Sequence, residues 1–219
     1  GLTNSTINTG SGDDVIDIST TAAASFFDDY WGWGGDYSYQ NVQSIGLTNS
    51  TINTGSGDDV IDISTTAAAS TFSNSWDWGG WNNNSNVKAL GLFNSTIDSG
   101  SGDDDININS LATNENISFG QLNADNANVF SYGVYGSSFF TGSGDDSINI
   151  NASSVSLTRN LWGWESREIG LGQSEAVGLE KSTINTGSGD DIVEISAYSF
   201  GTNTNSWAIR DSSLDTGIG

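Results

Sequence analysis

Five times along the chain a glycine-rich hexapeptide closes on two adjacent aspartates: residues 9–14 (TGSGDD), 54–59, 99–104, 141–146 and 186–191. Glycine at the second and fourth places permits positive φ and turns carbonyl oxygens inward, while the closing aspartate offers a carboxylate. These are the hard oxygen donors that calcium takes, about six to eight at a time. A single turn cannot supply that many, but two turns stacked one above the other can. The candidate metal ligands are Gly10, Gly12 and Asp14, Gly55, Gly57 and Asp59, Gly100, Gly102 and Asp104, Gly142, Gly144 and Asp146, and Gly187, Gly189 and Asp191.

Charge supplies a reason for the ion. If identical turns lie one strand spacing apart, like carboxylates about 4.8 Å from one another repel by roughly 3.5 kcal/mol at an effective dielectric of about 20. Each turn carries two of them, Asp13 with Asp14 and so on to Asp190 with Asp191. Without divalent ions such a column pushes itself apart, so folding and binding are expected to be coupled. Affinity is expected in the range of extracellular calcium modules, on the order of 10⁻⁴ to 10⁻³ M. Asp13 and its equivalents have two readings, direct ligation or a solvated role that adds to the local field. Asp59→Ala is expected to lower thermal stability in calcium but not in chelator.

The whole composition points the same way. Net charge is −22, from 27 acidic residues against 5 basic ones, which argues against nucleic acid and anionic membranes as partners and for cations. Recurring isoleucines and 11% aromatic residues supply apolar material that disordered acidic tails lack. Proline, cysteine, methionine and histidine are absent and Gly is 28, a mix suited to strands and tight turns. With no His or Cys, and with Lys88, Arg159, Arg167, Lys181 and Arg210 following no repeat, no nucleophile and base can be assembled, and a non-catalytic protein is expected. No apolar run is long enough to span a membrane.

The turns are positioned by an internal repeat. Residues 1–25 recur letter for letter at 46–70, and weaker copies begin at Gly91, Gly133 and Gly178, giving units of approximately 1–45, 46–90, 91–132, 133–177 and 178–219 in one repeat domain. Before each turn a single apolar residue (Ile7, Ile52, Ile97, Phe139, Ile184) sits between short polar ones, which is strand alternation. After each turn, pairs such as Ile16 and Ile18 or Ile61 and Ile63 keep a two-residue spacing and share a face; Val193 and Ile195 replace the pair in the fifth unit. Equal sequences at equal spacing are best satisfied by parallel stacking, an all-β parallel solenoid of about five coils. An isoleucine ladder is then expected inside, and a column Thr6, Thr51, Thr96, Ser138, Thr183 outside.

The turn resembles the nonapeptide G-G-x-G-x-D-x-U-x of RTX, or haemolysin-type, calcium-binding repeats, with residues 9–17 (TGSGDDVID) as the first copy. The resemblance implies that each ion sits between neighbouring turns, so Gly10, Gly12 and Asp14 would share one with Gly55, Gly57 and Asp59, and likewise along the column. Two departures matter: Thr or Ser replaces the first glycine in every copy, and each unit holds one nonapeptide where the family runs them in tandem. A wide, flattened solenoid is therefore expected in place of a narrow roll.

Other features have plainer readings. The tryptophans Trp31, Trp33, Trp76, Trp78, Trp81, Trp162, Trp164 and Trp207 suit packing in the core or between subunits, with a glycan platform as the alternative. The Asn4-Ser5-Thr6 and Asn49-Ser50-Thr51 sequons arise freely in so polar a chain. An ice-matching Thr and Asn face is interrupted at Asp98 and Phe140. The opening Gly in place of Met reads as a processed piece, and the last turn stops at Thr216–Gly219 without its aspartates, half a site to be completed by another subunit or further sequence. The function expected is an extracellular or cell-surface, bacterial, calcium-stabilised structural protein that self-associates head to tail into a filament or surface layer. The alternative is a calcium-stiffened adhesin or glycan-binding module of a larger secreted protein.

Overall fold

A computed structural model describes residues 1–28, 37–73, 81–118, 122–125, 127–161, 167–169 and 172–218. Every regular element among them is a strand, and none is a helix long and apolar enough to cross a membrane. Each coil runs through three strands, and like strands of successive coils pair in parallel into three sheets. A short sheet holds Thr6–Asn8, Thr51–Asn53, Thr96–Asp98, Ser138–Phe140, Thr183–Asn185 and Ser213–Asp215. The aspartate turn leads from it into an outgoing sheet of Val15–Asp28, Val60–Ser73, Asp105–Ser118, Ser147–Asn160 and Ile192–Phe200. The chain comes back through a return sheet of Leu2–Thr3, Tyr37–Thr48, Trp81–Phe93, Asn128–Tyr135, Gln173–Glu180 and Asn203–Arg210, with the short Leu122–Asp125 also pairing on Trp81–Phe93. One short strand, Arg167–Ile169, pairs antiparallel, against the end of Ser147–Asn160. The expected parallel solenoid is the observed fold.

Register follows the repeat. Ile16, Ile61, Ile106, Ile148 and Val193 lie one over another, as do Thr6, Thr51, Thr96, Ser138 and Thr183. Period-two alternation sends the first set inward and the second outward. Ile61, Ile106 and Ile148 are buried together with Ile52, Ile97, Phe139 and Ile184 of the short sheet and Leu47, Leu92, Val134 and Leu179 of the return sheet. Three sheets thus enclose one apolar prism. The unit-opening glycines let it close, because a Cβ at Gly91 would stand 2.4 Å from the Cγ2 of Ile108, and one at Gly133 2.5 Å from that of Ile150.

Away from the turns the cross-section narrows to two facing sheets, and the inward residues shrink to match. Ala67, Ala69 and Ala112 face Val42, Val87, Ala89 and Val129. Hydroxyls also bridge the two sheets: Ser44 Oγ donates to the Thr20 carbonyl (3.1 Å), Ser131 Oγ to that of Ser110 (2.8 Å) and Ser174 Oγ to that of Ser154 (3.0 Å). This taper is the flattened shape expected from 45-residue units. The tip segments with Trp31, Trp33, Trp76, Trp78, Trp162 and Trp164 lie outside the described residues, as does the side chain of Trp81. Trp207 sits on the outer face of the return sheet, with the Arg210 guanidinium 4.5 Å above its ring.

Candidate metal centre

Positive φ at Gly10 (102°) and Gly12 (107°) shapes the first turn, and the same pair recurs through Gly187 (88°) and Gly189 (139°). Successive turns then approach more closely than any side chain would allow. A Cβ at Gly55 would lie 1.9 Å from the Gly10 carbonyl oxygen, and one at Gly57 2.4 Å from that of Gly12. Ser56 N–H donates to the Gly10 carbonyl (3.1 Å) and Gly12 N–H to that of Ser56 (2.7 Å), stitching turn to turn. The predicted glycine and aspartate ligands are thus brought into one continuous edge of the solenoid.

The two aspartates of each turn act in opposite directions. The first carboxylate accepts from the coil above: Asp58 N–H donates to Asp13 Oδ1 (3.0 Å), Asp103 to Asp58 (2.9 Å), Asp145 to Asp103 (2.8 Å) and Asp190 to Asp145 (2.9 Å). The second accepts from the coil below: Asp14 N–H donates to Asp59 Oδ1 (2.8 Å), and Asp59, Asp104 and Asp146 N–H each to the next aspartate at 3.0 Å. The first column is exposed. The second is not: Asp59, Asp104 and Asp146 are 1–2% exposed. In all five coils its other oxygen, Oδ2, is buried with no hydrogen-bond partner.

An unpaired carboxylate oxygen away from water is costly. Burial pushes the Asp104 carboxyl up from 3.8 to about 6, with Asp59 and Asp146 adding a smaller like-charge push. Asp146 shifts upward for the same leading reason. The Ser99 hydroxyl lies near enough to offset part of the Asp104 shift, though short of hydrogen-bond geometry.

Residues beyond the predicted set complete the edge. The Thr or Ser that departs from the glycine pattern forms its own buried column, with Thr54 Oγ1 donating to the Ser99 carbonyl (3.1 Å) and Thr141 Oγ1 to that of Thr186 (3.0 Å). At a second corner, Asn4, Asn49, Asn94, Lys181 and Asp211 adopt φ near 50° and Gly136 61°. The serine after each continues a ladder: Ser5 N–H donates to Ser50 Oγ (3.2 Å), Ser50 to Ser95 (3.2 Å) and Ser95 to Ser137 (3.0 Å). The sequons therefore encode a corner. Its signal was the serine held at 5, 50, 95, 137, 182 and 212, behind residues that tolerate the left-handed region in all but Lys181.

Among the described residues no three carboxylates converge on one point. A cation here would draw on one buried carboxylate per coil and on peptide carbonyls of two adjacent turns. The Gly12, Gly57, Gly102 and Gly144 carbonyls accept no hydrogen bond among the described residues and remain available. All these donors are hard oxygens, so the residues fit calcium and not a soft metal. No protein-family model matches the chain, and no curated protein or solved structure matches it.

Proposed function

We propose that the chain is a calcium-stabilised structural solenoid of the cell exterior, whose coils join head to tail into a filament or surface layer. The observation that carries this reading is the repeated buried Asp Oδ2 without a partner, once per coil from Asp14 to Asp191. Asp14, Asp59, Asp104, Asp146 and Asp191 would hold the ions with help from the turn carbonyls. Calcium bound there supplies the positive charge that buried carboxylates otherwise lack. Extracellular calcium matches the weak sites of such modules, and in a chain of net charge −22 the same ions relieve the self-repulsion that opposes the compact state.

The open ladder at the end of any stack supports the reading of self-association. Ile7 and Ile18 of the first coil and Val193 and Ile195 of the fifth are only partly buried, whereas their equivalents in coils two to four are fully covered. Another coil, from this polypeptide or a second copy, would cover them. Electron microscopy with millimolar calcium should show fibres that fragment in chelator. Calorimetric titration should give calcium binding with a matched rise in melting temperature. Identical melting in calcium and in chelator would remove the calcium reading, and monodisperse rods would favour a module of a larger adhesin.

A further inference from the structure

The outer face of the return sheet differs in chemistry from the acidic edge. Parallel register stacks Asn41, Asn86, Asn128, Gln173 and Asn203 into one column of carboxamides that crosses all five coils. In-register amide columns commonly satisfy themselves side chain to side chain. Elsewhere on this molecule they do: Asn151 Nδ2 donates to Asn109 Oδ1 (3.1 Å) on the outgoing sheet, and Asn49 Nδ2 to Asn4 Oδ1 (3.3 Å) at the corner. On the return sheet none of the five amides has a protein partner among the described residues.

Aromatic rings flank this column. Tyr39 stands two residues before Asn41 and is 69% exposed, and Phe130 stands two residues after Asn128. With Asn84, Asn86 and Asn128 they line a shallow recess of about 320 Å³ whose described lining includes no carboxylate. The rings nearer the corner are already capped by cations: Lys88 over Tyr132 at 5.5 Å, Lys181 over Tyr135 at 5.2 Å and Arg210 over Trp207 at 4.5 Å. Among the described residues of this face, the distal band is where ring faces without a cation lie beside unclaimed amides.

We propose that this recess binds a neutral polysaccharide chain. A carboxamide both donates and accepts, which matches a sugar hydroxyl, and the apolar face of a pyranose stacks on an aromatic ring. Charge selects against the other candidates. A phosphorylated, sulfated or uronic chain would meet a protein of net charge −22 at a recess lined by no cation. The site lies on a different sheet from the aspartate turns and stands whether or not they hold calcium.

Affinity electrophoresis in calcium buffer tests it, with hydroxyethyl cellulose, dextran or galactomannan cast into the gel and alginate as the anionic comparison. At least one neutral gel should retard the protein. Tyr39→Ala and Asn86→Ala should each reduce that retardation at least fivefold, while Asn109→Ala on the opposite sheet leaves it unchanged. All three side chains point outward, and circular dichroism checks each fold; Tyr39→Leu or Asn86→Ser serves if the alanine variant at that position unfolds. Lack of retardation in every neutral gel, retardation by alginate alone, or retardation indifferent to Tyr39 and Asn86 would each overturn the proposal.

Discussion

Turn glycines are required for two separable reasons, and the stack contains its own control. Gly10 and Gly100 share nearly the same φ, 102° and 97°, but a Cβ at Gly10 meets nothing within 4 Å, whereas one at Gly100 meets the Gly55 carbonyl oxygen at 1.9 Å. Gly10→Ala should cost only the backbone term, about 1–2 kcal/mol. Gly100→Ala must also push two coils apart and should cost more than about 4 kcal/mol, read from urea melts of both variants. The buried aspartates need a subtler substitution than alanine. Asp59→Ala deletes the acceptor for Asp14 N–H as well as the charge, so it lowers stability with or without calcium, contrary to the sequence expectation. Asp104→Asn keeps an oxygen for Asp59 N–H and removes only the charge. In chelator it should be neutral or stabilising; in about 10 mM calcium it should lose about 1.4–2.7 kcal/mol for each ion released. Because the Asp104 carboxyl is raised to about 6, the folded metal-free protein holds a proton that the unfolded chain gives up above about pH 4. Stability in chelator should therefore fall as pH rises from 4 to 6, and Asp104→Asn should flatten that slope in melts across the range.

At the scale of strands, the outgoing sheet carries the taper of the solenoid in its inward residues. Ile106 and Ile108 fill the prism, Ser110 bridges the sheets, and Ala112 is buried in the small-residue cluster between them. Ile106→Ala should cost about 2–5 kcal/mol through the cavity it leaves. Ala112→Leu, a gain of apolar surface, should still cost about 1–3 kcal/mol because the facing sheet cannot yield; thermal melts compare the two. Much of this could be read from the chain. Two-residue spacing of Ile16 and Ile18 set strand and face, and letter-for-letter repetition set parallel register. The return strands were harder: Asn41-Val42 recurs as Asn86-Val87 and Asn128-Val129, but the fourth and fifth coils put Gln173-Ser174 and Asn203-Thr204 in the same register. The glycine and aspartate edge was legible from composition at fixed spacing. What the residues withheld was the opposed direction of the two aspartates, since adjacent identical side chains carry no sign of which neighbour each will serve. The serine corner was hidden behind its likeness to a glycosylation signal.

The molecule as a whole behaves as a column of nearly interchangeable layers, so its stability should grow layer by layer. Excising residues 46–90 removes one full unit and places Ile45 directly before Gly91, with Val15 then opposite Asp105 just as Val60 is now. The shortened chain should fold with an unchanged far-ultraviolet spectrum, and its urea m-value should fall by about one fifth with the surface buried. Failure to fold would show that the second coil does more than add a layer.

The opposed aspartates also give every coil two unlike faces. Toward one neighbour it presents the first carboxylate as acceptor and the second amide as donor; toward the other, the first amide and the second carboxylate. A further turn continues both bonds only when it stacks in the same sense, because each carboxylate serves one neighbour and each amide the other. A stack extended in that sense repeats the same contact at every added coil, with no stopping point until something of different chemistry caps it.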